Sequence, residues 1–307
     1  MRILVVGAGG IGGYFGARLQ EAGRDVTFLV RPRRAAELAR TGLCVRSAAG
    51  DITIAAPKLV TSETTGGPYD LIVLSCKAYD LEGAIDSLAP AMGPNTAILP
   101  LLNGMAHLDA LDARFGAGRV LGGLCLISAA LDPHGHILHL GEPHALSFGE
   151  RLGGLSARSA AILAQLEGAK FAVRASDVIV QEMWEKWVFI ATAAGLTAMM
   201  RATIGDIVGS GGADIATDLL AECSAIAGAA GFAPRKAASD RAVAMFTAAG
   251  SPLTASLARD IERGGAVESE QILGDLLRRA PRAAPILRIA YGHLKAYEAR
   301  RAREATL

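Results

Sequence analysis

The stretch that most limits what this chain can fold into is Gly7-Ala8-Gly9-Gly10-Ile11-Gly12, set between an apolar run and an amphipathic one. Residues 3–6, Ile-Leu-Val-Val, read as a strand buried on both faces of a parallel sheet, and residues 11–22 as the helix that follows. In that setting each glycine has its own task. Gly7 permits a tight turn, Gly9 lets backbone approach a pyrophosphate, and Gly12 lets helix and strand pack closely. The first N–H groups of the helix have no partner within it and are free to face phosphates. A dinucleotide-binding α/β domain is the expectation. A basic residue before an apolar run also resembles an export signal, but glycines interrupt the run and no A-x-A-like cleavage site ends it.

The next strand, residues 25–30, ends at Arg31 instead of an acidic residue that would hold a free ribose 2′-hydroxyl. A guanidinium fork suits a 2′-phosphate, which points to NADPH/NADP; alternatively Arg31, Arg33 and Arg34 form a solvated helix start. A further buried strand, residues 69–75, leads into Cys76-Lys77, residues 80–88 look helical, and a strand at 96–99 precedes Asn103-Gly104. Lys77 and Asn103 thus fall just past the carboxyl ends of strands, the edge where open parallel sheets bind ligands, although polar residues there are also ordinary loop chemistry. Residues 120–148 are β-rich and irregular. His134, His136, His139 and His144 within them do not keep one face and have no carboxylate to complete a ligand set, so they read as outward polar positions with no metal. A helix at 156–167 and a strand at 170–174 complete a first domain, residues 1–175.

The second domain, residues 176–307, is nearly all helical. It opens with a long helix, residues 177–201, for which Ser176 is the expected N-cap. Apolar residues recur along this helix at three-to-four spacing, and Lys186 sits where the polar half meets the apolar half. Lys186 is either a surface residue paired with Glu182 or a partly desolvated functional ammonium. The uncharged run after it is shorter than the roughly 18 residues of a membrane span. Further helices are expected at 204–208, 213–230, 236–248, 253–263, 267–280 and 284–299, with glycine and proline breaks between them. A cofactor domain followed by a helical domain would place an active site in a cleft that Lys186 can reach.

The 307 residues carry 31 Lys+Arg against 30 Asp+Glu, a net charge of +1, which favours neither nucleic acid nor a membrane surface as partner. A small molecule is the expected partner. The four cysteines are widely spaced and form no CxxC pair, as expected of reduced thiols in a cytoplasmic protein. The oligomeric state is open, a homodimer included.

Taken together, GAGGIGG, VRP after the second strand, Ser75-Cys76-Lys77-Ala, Leu102-Asn103-Gly104-Met105, Trp184-Glu-Lys186 and Ser256-Leu-x-x-Asp260-Ile-x-x-Gly264-x-x-Val267-Glu268 resemble the ketopantoate reductase (2-dehydropantoate 2-reductase) family over nearly the whole chain. The resemblance implies a Rossmann domain joined to a helical domain similar to that of 6-phosphogluconate dehydrogenase. It also implies NADPH-dependent reduction of a 2-keto acid to a 2-hydroxy acid, as in pantothenate biosynthesis. By the same resemblance Lys186 matches the catalytic lysine and Glu268 the active-site glutamate. Ser256 matches a substrate-binding serine, Asn103 and Lys77 match polar groups beside nicotinamide and substrate, and Gly7 to Gly12 with Arg31 complete the cofactor set. A cation that can also give up a proton suits a ketone oxygen that becomes negative as hydride arrives.

One departure stands out. Where biosynthetic members commonly have substrate-binding asparagines, this chain has Ile190, Ala194 and Ile204. The pocket is therefore expected to be more apolar and the substrate to be another 2-keto acid or a bulkier ketone, with Arg201 as a replacement anchor for a carboxylate. A non-catalytic NADP(H)-binding sensor is the rival reading.

Overall fold

The computed structural model describes residues 1–305, which form two compact units. One comprises Met1–Leu102 with His107–Val180, and the other Asn103–Ala106 with the described chain from Gln181 onward. The division falls five residues beyond the boundary expected at 175/176, and it assigns the short Asn103–Ala106 turn to the helical unit.

In the first unit a parallel sheet has the order β5-β2-β1-β6-β7. Its strands are β1 (Arg2–Val6), β2 (Asp25–Leu29), β5 (Leu59–Val60), β6 (Leu71–Leu74) and β7 (Ala97–Pro100). Ile3, Leu4, Leu71, Ile72, Ile98 and Leu99 are fully buried, as continuous Val/Ile/Leu runs require when both sheet faces are covered. The chain builds outward from β1 through β2 to β5, then crosses to β6 and β7. The strand order therefore reverses beside β1, where the glycine stretch and the segment after β6 both emerge.

Two smaller sheets complete the unit. One, ordered β4-β3-β10-β9, contains β3 (Leu43–Arg46), β4 (Ile52–Ile54), β9 (Ala129–Leu131) and β10 (Ile137–His139). The other, ordered β12-β11-β8, contains β8 (Gly122–Leu126), β11 (Ala145–Gly149) and β12 (Ala172–Ala175). Its helices are α1 (Gly10–Glu21), α2 (Pro32–Thr41), α3 (Leu81–Leu88), α4 (Ala106–Phe115) and α5 (Ala157–Leu166). The expected start of α5 is realised as a capping box between Ser156 and Ser159.

The second unit consists of α6 (Ile179–Met200), α7 (Ile204–Gly209), α8 (Ala213–Ala229), α9 (Lys236–Phe246), α10 (Ser256–Glu262), α11 (Asp275–Arg278) and α12 (Pro285–Glu304), most of α6 belonging to it. Three helix starts differ from the sequence expectation. Ser176 accepts from the Val178 N–H, and regular helix begins only at Ile179. Residues 253–255 stay extended because the Leu253 carbonyl is taken by the Ile204 N–H at 3.0 Å and the Ala255 N–H donates to Thr197 Oγ1 at 3.1 Å. Residues 267–268 are likewise not helical, and a widened π turn, Glu270–Gly274, precedes α11. Among the described residues no helix is long and apolar enough to cross a membrane.

The histidines require a correction. His139 and His144 do not face outward: their rings stack on each other at 4.9 Å, and both meet the ring of Tyr14 of α1, whose hydroxyl is hydrogen-bonded to His144 Nδ1 at 2.5 Å. Ser47 Oγ is hydrogen-bonded to His139 Nδ1 at 2.8 Å, and His139 Nε2 is buried. Helix α1 brings an aromatic face to this sheet, and histidines with apolar ring faces complete it. No cluster among the described residues is suited to a metal ion.

Burial, reinforced by the charge of His144, holds the His139 pKa below its ordinary value. The unfolded chain therefore takes up this proton first, and the stability gained from neutral His139 is complete above about pH 6.5 and declines as the pH falls below it. Thermal melting followed from about pH 7 to 5 should show this decline, and His139→Gln should make it shallower.

Candidate active site

The carboxyl edge of the parallel sheet is shaped for close approach of backbone to a ligand. Gly7 has φ +95°, a conformation that favours glycine, and leads straight into α1. Ser75, at the end of β6, donates from Oγ to the Val6 carbonyl at 2.9 Å and so ties the two strand ends together. A β-carbon on Gly12 would lie 2.0 Å from Ser75 Oγ and 2.3 Å from the Gly7 carbonyl oxygen, so no other residue fits. Gly9 is the opposite case: a β-carbon there would meet nothing within 4 Å. The open space above Gly9 and the absence of any side-chain cap on α1 leave helix N–H groups available to a diphosphate. The residues present therefore fit a dinucleotide.

Around this edge Arg31 is 75% exposed and Arg33 is also exposed, whereas Arg34 is committed to structure. Arg34 donates to the Gly135 carbonyl at 2.9 Å and pairs with Glu37 at 2.9 Å. The three arginines thus divide between the two sequence readings. Lys77 is exposed just past β6, as its position after a strand suggests.

In the helical unit, Lys186 lies half-buried on α6 beside the fully buried Trp187. Among the described residues it has no hydrogen bond or ion pair, so the expected pairing with Glu182 is absent. Its neighbour Glu185 is committed to Arg235, whose Nε and Nη2 both reach it at 2.7 Å. Burial alone would raise the Glu185 pKa, but the Arg235 guanidinium and N–H hold it below the ordinary value.

A short set of contacts brings Glu268 and Asn103 to the same part of this unit. The indole N–H of Trp187 donates to the Ile272 carbonyl at 2.9 Å, and the Ile272 N–H donates to the Glu268 carbonyl at 3.1 Å. From the same π turn, Gln271 Nε2 donates to the Asn103 carbonyl at 2.6 Å. Gly104, at φ +75°, lets its backbone press against Gln271: a β-carbon there would sit 2.5 Å from the Gln271 carbonyl oxygen. Trp187 and Gln271 are therefore site-building residues that sequence reasoning missed. Trp187 registers in the sequence only as part of an apolar stripe. Gln271 carries no local signal, because its partner is 168 residues away.

The other expected site residues lie further off. Ile190 is half-buried one turn beyond Lys186, while Ala194 and Ile204 are buried. Ser256 opens α10, next to the Ala255 N–H that bonds Thr197, a residue further along the α6 axis than Lys186. Arg201 is a correction. It lies about 22 Å along that axis from Lys186, too far for one small keto acid to touch both. Its φ of 54° closes α6 in the manner of a helix-terminating glycine. Its charge acts instead on His293 of α12, whose pKa is lowered first by burial and then by Arg201.

Comparison with known proteins bears on this arrangement. Residues 3–153 match the family described as ketopantoate reductase PanE/ApbA, and residues 178–298 match its C-terminal counterpart. The uncharacterized oxidoreductase YkpB of Bacillus subtilis (strain 168) is 37% identical, covering 97% of this chain and 99% of that protein. The 2-dehydropantoate 2-reductase of Mesorhizobium japonicum is 27% identical over 89% of each chain. The crystal structure of 2-dehydropantoate 2-reductase from Methylococcus capsulatus superposes with a TM-score of 0.86 at 28% identity, covering 98% of both chains.

Two glycine substitutions separate folding from cofactor binding. Gly9→Ala should melt as the parent does, since its β-carbon enters open space, but should bind dinucleotide at least tenfold more weakly in a fluorescence titration. Gly12→Ala should lose about 1–3 kcal/mol in denaturant unfolding, because its β-carbon overlaps Ser75 and Gly7.

Proposed function

This chain belongs to the ketopantoate reductase family and is an oxidoreductase acting on CH–OH groups, and from that premise we propose that it reduces a 2-keto acid to the 2-hydroxy acid with NADPH. The observation that carries the reading is Lys186: a half-buried ammonium with no ion pair among the described residues, in the part of the helical unit where Glu268 and Asn103 are also held.

When bound, reduced nicotinamide supplies hydride to the ketone carbon. Negative charge then develops on the ketone oxygen, and Lys186 stabilises it and delivers the proton from Nζ. A flexible four-carbon stem lets the ammonium follow the oxygen as it changes from ketone to hydroxyl. Glu268 accepts from the substrate hydroxyl or orients Lys186. Asn103, held through its carbonyl by Gln271, keeps its amide available to nicotinamide or substrate. Ser256 holds the substrate carboxylate; support for that role is its match to the family serine alone. On the first unit, Gly7, Ala8, Gly9, Gly10, Ile11 and Gly12 cradle the diphosphate, Lys77 lies at the same sheet edge, and exposed Arg31 faces the 2′-phosphate.

Ile190 and Ala194, one and two turns beyond Lys186 on α6, support a more specific reading of the substrate. Two amides would supply hydrogen bonds of about 1 kcal/mol each to polar groups beyond the keto acid. Hydrocarbon at these positions cannot, and a polar substrate tail placed against it loses hydration without return. The substrate is accordingly a 2-keto acid with an apolar side chain, and 2-dehydropantoate, which feeds pantothenate biosynthesis, is the poorer fit.

Lys186→Ala should lower kcat for keto-acid reduction by about a hundredfold or more while the dinucleotide dissociation constant stays within about twofold. A variant that keeps parental kcat would exclude Lys186 as the proton donor.

A further inference from the structure

Arg31 does not stand alone at the carboxyl end of β2. Its Nη2 lies 2.5 Å from Oδ1 of Asp80, which ends the short turn Ala78–Asp80. That turn is closed by the Asp80 N–H donating to the Lys77 carbonyl at 2.9 Å, so the carboxylate is carried on ordered backbone. The guanidinium is 75% exposed and the carboxylate 31% exposed, and an ion pair so open to water contributes little to folding. The pair therefore has room for a ligand and no evident structural duty. Arg34, in contrast, is already bound to Glu37 and Gly135.

We propose that Asp80 sets the nucleotide selectivity of this site by opposing the 2′-phosphate that Arg31 attracts, so that NADH is accepted beside NADPH. This rests on the reading of Arg31 as the 2′-phosphate contact. A phosphate that takes the Arg31 fork displaces the Asp80 carboxylate and then stands close to it, and the two negative charges repel. A ribose 2′-hydroxyl carries no charge and donates a hydrogen bond to the same carboxylate. Asp80 thus weakens one dinucleotide and supports the other. A basic strand end taken alone would predict strict NADPH use; the acid paired with it predicts tolerance of both.

The test is direct measurement of dissociation constants for NADPH and NADH, by calorimetry on the full chain, in the parent, Asp80→Asn and Arg31→Ala. Thermal melting checks that each variant is folded, which exposed positions favour. Asp80→Asn should bind NADPH roughly threefold to tenfold more tightly, with the gain shrinking as salt is added, and should bind NADH equally or less well. Arg31→Ala should lose NADPH affinity. If Asp80→Asn leaves NADPH affinity unchanged or weaker while Arg31→Ala still loses it, the role given to Asp80 is overturned and Arg31 keeps its own. If Arg31→Ala binds NADPH as the parent does, the 2′-phosphate reading fails and the role of Asp80 fails with it.

Discussion

The helical unit depends on one buried hydrogen bond, from the Trp187 indole N–H to the Ile272 carbonyl. Trp187 is fully buried and Ile272 is 3% exposed, so neither group has water as an alternative partner, and leaving either unpaired would cost about 1–3 kcal/mol. The bond fixes the π turn against α6 one residue beyond Lys186. From that turn Gln271 reaches Asn103, and the Ile272 N–H reaches back to Glu268. A wide turn of this kind moves backbone groups off their regular helical partners and is frequent at functional sites. Here it supplies the contacts that hold three family-matched residues in register.

The first unit depends on an equivalent economy of space. Gly12, Gly7 and Ser75 approach so closely that a single added carbon would collide with two of them. The same geometry leaves the N-terminus of α1 uncapped and Gly9 open. Tight packing below the turn and open space above it are two consequences of one backbone path. The stacked histidine pair packs against Tyr14 of α1 and is hydrogen-bonded to its hydroxyl, a second hold on that helix.

The sequence shows the glycine turn, the parallel strands and the lysine helix plainly, because each is encoded locally by side-chain periodicity or by the absence of a side chain. Strands β3, β4 and β5 run to four residues or fewer and carry too little alternation to be read. The start of α10 shifts because a tertiary hydrogen bond to Thr197 holds Ala255 extended, which no local propensity records, and α6 starts late because Ser176 closes a local turn before it. His139 and His144 were legible as histidines but not as a stacked pair, since their partner Tyr14 lies on a distant helix. Arg201 shows the reverse error: it shares a helix with Lys186, yet about 22 Å of helix separates them. Gln271 and Asp80 are visible only once the chain is folded, one through a carbonyl 168 residues away and the other through the arginine that opens α2.

The central claim is that the lysine machinery of the family acts here on a keto acid with a hydrocarbon side chain. The most direct measurement is steady-state NADPH oxidation by the purified protein with 2-dehydropantoate and a series of 2-keto acids bearing branched aliphatic or aromatic side chains. Turnover with kcat/KM for an apolar member about tenfold or more above that for 2-dehydropantoate is the predicted result, the margin expected when polar contacts of about 1 kcal/mol each are replaced by hydrocarbon. Tight NADPH binding without reduction of any keto acid would contradict the claim and identify a sensor in place of an enzyme.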